Sequence, residues 1–193
     1  MDKLKFKGIL MKSVNKVKVW DRFVRLFHWS LVTSFFVVYF STTSIGWVHK
    51  GFGYVTLALI MARIVWGFIG RGHARFSDFV PSPGKLKRYV VAMLRREEPR
   101  YLGHNPAGAV MILFLLCMIS GIGITGWMLT LDAFWGNDLV EEAHSLLVNV
   151  TLAAVVVHVG GAIYESLHQR ENLILSMVTG SKDDVIDMPE VKE

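Results

Sequence analysis

The chain has 193 residues, of which 52% are hydrophobic and 19% charged, and its mean hydropathy is +0.41. An ordinary soluble domain has about 25% charged residues, so this composition argues against one. The formal net charge of +5 comes from basic residues clumped beside apolar segments. Such clumps orient membrane proteins, so they do not indicate nucleic-acid binding. The length predicts one domain.

Four apolar segments each approach the roughly 20 residues that a membrane-spanning helix needs. They lie near residues 24–41, 51–69, 107–129 and 144–166. A buried soluble core would interleave shorter apolar runs with polar positions. No A-x-A-like cleavage site follows the first segment, so we interpret it as a retained helix and not as a signal peptide.

These segments predict an all-α integral membrane protein built as a four-transmembrane-helix bundle. The bundle spans residues 23–170, between a basic N-terminal tail (1–22) and a polar C-terminal tail (171–193). Basic residues set its orientation, because the cytoplasmic side of a membrane protein is enriched in Lys and Arg. Eight precede the middle of the first helix: Lys3, Lys5, Lys7, Lys12, Lys16, Lys18, Arg22 and Arg25.

The connections between the predicted helices continue this contrast in basic residues. The second connection carries eight of them: Arg71, Arg75, Lys85, Lys87, Arg88, Arg95, Arg96 and Arg100. The first connection has only Lys50, and the third has none. The sequence therefore predicts a multi-pass membrane protein with both termini and the second connection in the cytoplasm.

Four of the seven histidines fall at two depths of the predicted bundle. His28 lies about one turn into the first helix from the cytoplasmic face, and His49 lies at the outer mouth of the second. His144 and His158 are 14 residues apart on the fourth helix, so their rings share one face about 21 Å apart along the axis. Depth then pairs His28 with His158 and His49 with His144.

Two histidine pairs without nearby carboxylates or thiolates favour haem iron over other metals. Structural zinc needs four protein ligands, whereas haem iron needs only two axial groups. Covalent haem attachment is excluded, because Cys117 is the single cysteine and no C-x-x-C-H motif exists. The glycines of the third and fourth helices leave room either for a porphyrin or for close helix packing: Gly121, Gly123, Gly126, Gly160 and Gly161.

Three arginines are candidates for binding a haem propionate. Arg63 lies inside the second helix, 14 residues after His49 and on the same face. A charge at that depth is costly, so we expect it either to bind a propionate or to extend to the cytoplasmic surface. Arg22 and Arg25 could bind a propionate or serve topology alone. His73 and His104 lie in or beside the second connection, where a helix cap and a role at a cofactor or quinone both stay open.

With these residues in view, the sequence resembles the bacterial cytochrome b561 family and the related cytochrome b subunits of nickel–iron hydrogenases. The resemblance covers roughly residues 19–180 and rests on five stretches: VWDRFVRLFHW, HKGFGYVTLALIMARIVWGFIGRGHARFSDF, GHNPAGA, TGW and HVGGAIYESLHQRENLILSMVTG. It implies a four-helix bundle with two b haems, whose axial ligands map to His28, His49, His144 and His158. The hydrogenase subunits carry one more helix than the four predicted here.

The resemblance also implies the reaction and its partners. It implies electron transfer between a quinone and a c-type cytochrome or similar redox protein, with quinone oxidoreductase activity left open. The acidic third connection could steer a basic protein toward the outer haem: Asp132, Asp138, Glu141 and Glu142. Membrane lipid surrounds the bundle, and a homodimer stays open. Two alternatives are a membrane-anchor subunit of a larger oxidoreductase and a histidine-using metal or proton transporter.

Overall fold

Four long helices dominate the structure, a computed structural model that describes residues 14–41 and 45–185. They are α1 (Arg22–Phe40), α2 (Gly46–Ile69), α5 (Pro106–Met128) and α6 (Asp138–His168). Each is long and apolar enough to cross a membrane. No more than 22% of the residues in any of these spans are buried, so broad apolar surfaces face outward, as lipid requires. The predicted four-helix membrane protein is confirmed at this level.

Shorter elements connect the long helices at their ends. A 3-10 turn (Gly72–Ala74), the short helix α3 (Phe76–Phe79) and α4 (Pro83–Leu94) lie between α2 and α5. A second 3-10 turn (Asp132–Phe134) joins α5 to α6. Before α1 lies strand β1 (Val14–Lys18), and after α6 lie α7 (Leu173–Thr179) and strand β2 (Ser181–Val185).

Polar side chains cap the first turns of α1, α5 and α6. Asp21 caps α1 by accepting a hydrogen bond of 2.7 Å from the Val24 amide, and Asn105 caps α5 in the same way from Gly108. These contacts satisfy amides that have no partner within the helix. Asn105, and not His104, thus supplies the cap of α5, and Pro106 occupies the first turn, where a missing N–H costs nothing.

The start of α6 differs from its prediction. The helix begins at Asp138, capped by Asn137, six residues before the apolar segment. The acidic residues of its first turn, Asp138 and Glu141, are favourable beside the positive end of the helix dipole. Because these residues are charged, the hydropathy pattern excluded them from the predicted span. The same negative charge is favourable at the start of the helix. The expectation that His144 opens the helix is therefore wrong, and His144 lies in its second turn.

Each long helix packs mainly against the next one in the chain. In the described residues α1 packs on α2, α2 on α5 and α5 on α6, whereas α1 and α6 share no extensive backbone contact. The core lies where the first three of these helices meet, around Phe27, Ile60, Leu116 and Ile119. The hydroxyls of Ser34 and Thr56 join α1 to α2 by a buried hydrogen bond of 3.3 Å.

The segments predicted as polar tails are joined to each other. Strands β1 and β2 are antiparallel, with Val14 opposite Val185 and Lys18 opposite Ser181. The indole N–H of Trp20 donates to the Ser176 hydroxyl at 3.2 Å. This bond joins α7 to the segment just before α1. Within the predicted polar C-terminal tail, residues 173–185 therefore contain a helix and a strand. Residues 1–13 and 186–193 of the predicted tails lie outside the described residues.

Candidate functional site

The structure brings His49 and His144 together at one end of the bundle. Their ring centroids lie 6.4 Å apart, and the ring planes meet at 66°. His49 is in the first turn of α2, and His144 is in the second turn of α6. Helix α5 lies between these helices and supplies Thr125 next to His144. Two histidines nearly a hundred positions apart thus face each other, as the depth argument predicted.

Hydrogen bonds fix which nitrogen of each ring carries the proton. His49 Nδ1 lies 3.0 Å from the Val38 carbonyl oxygen, which can only accept, so this Nδ1 is the donor. His144 Nδ1 lies 2.9 Å from the Thr125 hydroxyl oxygen. That hydroxyl donates to the Gly121 carbonyl at 2.8 Å, so it accepts from His144. No hydrogen bond in the described part of the chain uses either Nε2, and both therefore have a free lone pair.

The second pair, His28 of α1 and His158 of α6, lies toward the opposite end of the bundle. The two imidazoles interact electrostatically across the gap between α1 and α6. His28 Nδ1 is buried and has no hydrogen-bond partner, and the ring meets Trp29 edge-on at 5.1 Å. A buried polar nitrogen without a partner is costly. The second pair is therefore less completely satisfied than the first.

Arg63 is buried in the second half of α2. Only 3% of its surface is exposed, so the alternative in which it extends to the cytoplasmic surface is wrong. Its guanidinium lies 5.2 Å from the centre of the Phe76 ring and feels the charge of Asp21. Its Nη1 has no hydrogen-bond partner. In the described residues Arg63 forms no ion pair, so one cationic donor at this depth is unmatched.

The other two candidate arginines differ in their surroundings. Arg25 donates from Nη1 to the Val178 carbonyl of α7, and its Nε is buried without a partner. Arg22 is exposed. Arg25 therefore has one donor directed into the interior, whereas Arg22 faces outward beside the termini.

His104 lies beside the second pair and stays uncharged. Its ring sits between those of Trp20 and Phe79, at 4.6 and 4.9 Å between centroids. Burial, with a smaller contribution from Arg63, lowers the pKa of His104 to about 3. His73 packs against Gly103, where an added Cβ would lie 2.6 Å from its Nδ1. His104 therefore lines the interior, while His73 is exposed at the loop surface.

The glycines divide between the two alternatives. A Cβ on Gly121 would lie 3.1 Å from Leu147, one on Gly123 2.8 Å from Leu57, and one on Gly126 3.1 Å from His144. These three glycines of α5 serve close packing, and Gly126 makes room for the His144 ring. A Cβ on Gly160 or Gly161 would meet nothing within 4 Å, so that face of α6 is open.

The donor set is poor for a bare metal ion. Among residues 14–41 and 45–185 no three His, Cys, Asp or Glu side chains come together as a metal site. The free Cys117 is exposed on α5, away from both histidine pairs along the chain. Two-histidine sites suit a metal that brings its other ligands with it.

Sequence reasoning did not identify the residues that orient His49 and His144. Thr125 belongs to the stretch TGW, and Val38 contributes only its backbone carbonyl. A threonine in a helix usually bonds back to its own helix, so nothing in the sequence marks Thr125 as a partner of His144. A carbonyl has no sequence signal at all.

Comparisons with known proteins agree with this architecture. Residues 19–180 match the family model described as prokaryotic cytochrome b561. The chain is 26% identical to a probable Ni/Fe-hydrogenase B-type cytochrome subunit of Rhodobacter capsulatus, over 89% of this chain and 84% of that protein. It is also 26% identical to the protein of the same description from Azotobacter vinelandii, over 93% of this chain and 94% of the relative. A third such protein, from Bradyrhizobium diazoefficiens, is 29% identical over 72% of this chain and 66% of its own.

The family match covers most of the chain, and the matched residues include four helices that are long and apolar enough to cross a membrane. Membership implies a b-type haem and electron transfer within a bacterial membrane. The chain belongs to the prokaryotic cytochrome b561 family.

Proposed function

We propose that this protein carries electrons across the membrane between two b haems, one bound by His49 and His144 and the other by His28 and His158. The observation that carries the proposal is the geometry of the first pair. A metal–imidazole bond of about 2 Å and about 1.1 Å from a ring nitrogen to the ring centre, counted on both sides, give roughly 6.2 Å. The observed centroid separation is 6.4 Å.

The protonation of the first pair supports the same assignment. A histidine binds metal through a neutral ring, and its second nitrogen usually donates to an oxygen that fixes its orientation. Val38 and Thr125 supply those oxygens. Both rings are thereby held with Nε2 unprotonated, which is the form that binds iron.

The second pair would hold its haem nearer the cytoplasmic face. His28 and His158 lie on α1 and α6, which are not closely packed on each other in the described chain. The unpaired cationic donors of Arg63 and Arg25 suit the propionates of a haem at this depth, because a charge-assisted hydrogen bond offsets the cost of burying an arginine. Arg22 would act in topology.

A haem with two histidine ligands supplies one-electron transfer and offers no open iron position to oxygen. The protein sets the distance between the two haem sites, because their ligands His144 and His158 are 14 residues, or about 21 Å, apart on one helix. The bundle excludes water from the path with apolar side chains. Electrons then pass between the two faces of the membrane.

The charges of the connecting segments support a proposal for the orientation and the partners. We propose cytoplasmic termini, because of the contrast in basic residues, and a quinone exchanging electrons at one end. The exposed acidic residues of the connection before α6 and of its first turns would attract a basic c-type cytochrome or similar protein: Asp132, Asp138, Glu141 and Glu142.

A second candidate function is that of a haem-bearing subunit of a larger oxidoreductase. It is favoured by the relatives, which are described as probable Ni/Fe-hydrogenase B-type cytochrome subunits. The two functions share the haem chemistry and differ in the electron donor. Purification under mild conditions separates them, because a subunit brings its hydrogenase with it, whereas an independent cytochrome elutes alone and is reduced by quinol.

The haem count tests the proposal directly. The purified protein should contain two b haems per chain by pyridine haemochrome. His28→Ala and His158→Ala should lose the same spectral component, and His49→Ala and His144→Ala the other. His73→Ala is the matched control and should retain both. A protein without haem, as a metal or proton transporter would be, contradicts the proposal, and so does loss of different components in His28→Ala and His158→Ala.

A further inference from the structure

A buried group of acidic and phenolic side chains lies where α4, α6 and the start of α5 meet, apart from both histidine pairs. It consists of Tyr89, Glu98 and Glu165, which we name the Glu98 cluster. Their exposed fractions are 3%, 7% and 9%. Buried carboxyl groups are uncommon unless they are paired or serve a task. The electron-transfer sites do not use any of the three.

The contacts of Glu98 leave one of its oxygens unmatched. Its Oε1 accepts from the Tyr164 hydroxyl at 3.3 Å and lies 3.3 Å from His168 Nε2. Its Oε2 is buried and has no hydrogen-bond partner, and neither has the Tyr89 hydroxyl. A buried carboxylate oxygen without a donor is costly, so this oxygen is open to a hydrogen-bond donor.

Tyr89 links the two carboxyl groups. Its hydroxyl interacts electrostatically with both Glu98 and Glu165. Burial, and then these two carboxyl groups, raise the pKa of Tyr89, so the hydroxyl keeps its proton at neutral pH. The hydroxyl has no hydrogen-bond partner, so it is a free donor and acceptor near the two carboxyl groups.

The cluster reaches toward solvent at one end and toward the inner histidine pair at the other. His168 contacts Glu98, and its side chain is 30% exposed. Glu165 interacts with the Asn105 side chain, and the neighbouring His104 interacts electrostatically with His158. A titratable group at the surface is thus connected through the cluster to the surroundings of the proposed inner haem.

Nearby cations do not balance the two carboxyl groups. Lys182 of β2 interacts with Glu165, but its ammonium is paired with Glu171 at 3.5 Å. Burial lowers the pKa of Lys182. Arg100 is also paired with Glu171, at 3.1 Å. The other groups facing the cluster are Tyr101 and Arg96. Two carboxylates buried near each other repel, so a net negative charge stays unbalanced in the cluster.

We propose that the Glu98 cluster binds one proton from the cytoplasm, through His168, when one electron reaches the inner haem. This inference rests on the proposed function. The electron comes from a reduced quinol or partner protein, and the proton neutralises one carboxylate of the cluster. On reoxidation the electron leaves to the acceptor and the proton leaves the carboxyl group. The cause is electrostatic, since added negative charge in a medium of low dielectric raises the proton affinity of neighbouring acids.

The test measures protons and electrons together in the full-length protein carrying both haems. In lightly buffered nanodiscs, stepwise electrochemical reduction is followed by haem absorbance and by a pH-indicator dye. The inner-haem midpoint potential should fall with rising pH, toward the limit of about 59 mV per tenfold change in proton concentration for one proton per electron. Proton uptake should accompany reduction of the inner haem and not of the outer one.

The variants separate the cluster from other acids. Glu98→Gln and Glu165→Gln should abolish the pH dependence and the proton uptake, and Tyr89→Phe should diminish both. An infrared difference spectrum of the reduced and oxidised protein should lose a protonated-carboxyl band in the two glutamine variants. Glu97→Gln is the matched control, because Glu97 is the exposed neighbour of Glu98, and it should behave as the unaltered protein does.

Failure of the inference is distinct from failure of the proposed function. Haem content is measured first, and absence of the inner haem from the unaltered protein contradicts the proposed function. If both haems are present and Glu98→Gln and Glu165→Gln retain the original pH slope and proton uptake, the cluster is not the proton site. If one glutamine variant does not fold, the other and Tyr89→Phe carry the same decision.

Discussion

Replacing Thr125 by valine tests the role assigned to the outer histidine pair. The change preserves the shape of the side chain but removes the oxygen that accepts from His144 Nδ1 at 2.9 Å. The Nδ1–H is then left without this partner in a partly buried site, at a cost of about 1–3 kcal/mol. Loss of such an orienting partner typically weakens metal binding about 10–100-fold. We expect faster loss of the outer haem.

The same bond should influence the outer-haem potential. Iron in its oxidised state makes the bound imidazole a stronger donor, so the bond to Thr125 stabilises that state. If the difference is about 1 kcal/mol, its removal raises the midpoint potential by about 40 mV for a one-electron couple. The inner haem, about 21 Å along α6, should not shift.

The assay follows haem transfer to an excess of a high-affinity apo-haem protein, together with a spectroscopic redox titration. Thr125→Ser keeps the hydroxyl and should retain the slow transfer and the original potential. Thr151→Val is the matched control, because Thr151 also donates to its own helix, at 2.7 Å from the Leu147 carbonyl, but has no histidine partner. If Thr125→Val leaves both outer-haem properties unchanged, or Thr125→Ser alters them equally, the assignment of His144 is wrong.

Three further predictions concern the rest of the molecule. Arg63→Gln removes a positive charge that favours the reduced inner haem, so the midpoint potential of the inner haem should fall more than that of the outer haem. Equal shifts of the two potentials would contradict the proposal that Arg63 lies beside the inner haem. A reporter fused after Glu193 should report cytoplasm and one inserted near Asn137 the outer side, and the reverse pair would overturn the orientation. The folded-state pKa of His104, about 3, lies below its unfolded value, so its stabilising effect is full above about pH 6.5. That effect should be lost on acidification by about 1.4 kcal/mol per pH unit, and His104→Phe should flatten the decrease in melting temperature.

The sequence predicted the helices and the histidine depths because both depend on local properties. Hydropathy detects a span of about 20 apolar residues directly, and a 14-residue spacing places two side chains on one helix face whatever surrounds it. The pairing of His49 with His144 then requires only that the helices be antiparallel. The distance of 6.4 Å between the ring centroids of His49 and His144 agrees with antiparallel helices.

The features that were missed depend on contacts between distant segments. Strands β1 and β2 are short and polar, and Lys16 comes opposite Asp183 only when the two segments are aligned. Neither strand has an apolar pattern of its own. The glycines of α5 raised two possibilities, and only the side chains of Leu57, Leu147 and His144 on neighbouring helices decide for packing. The buried state of Glu98 follows from Tyr164 and His168 folding over it.

The two histidine pairs differ in a way that bears on how each haem would be bound. At the outer pair both Nδ1 atoms already have oxygen partners, so the rings are oriented by the protein alone. At the inner pair His28 Nδ1, Arg25 Nε and Arg63 Nη1 are buried without partners. Unmatched donors are costly in a medium that has no water to replace the missing bonds. An anionic cofactor would satisfy the arginines, so inner-haem binding should contribute more to folding than outer-haem binding. His28→Ala should accordingly lower the melting temperature of the purified protein more than His49→Ala does, and equal losses would contradict this asymmetry.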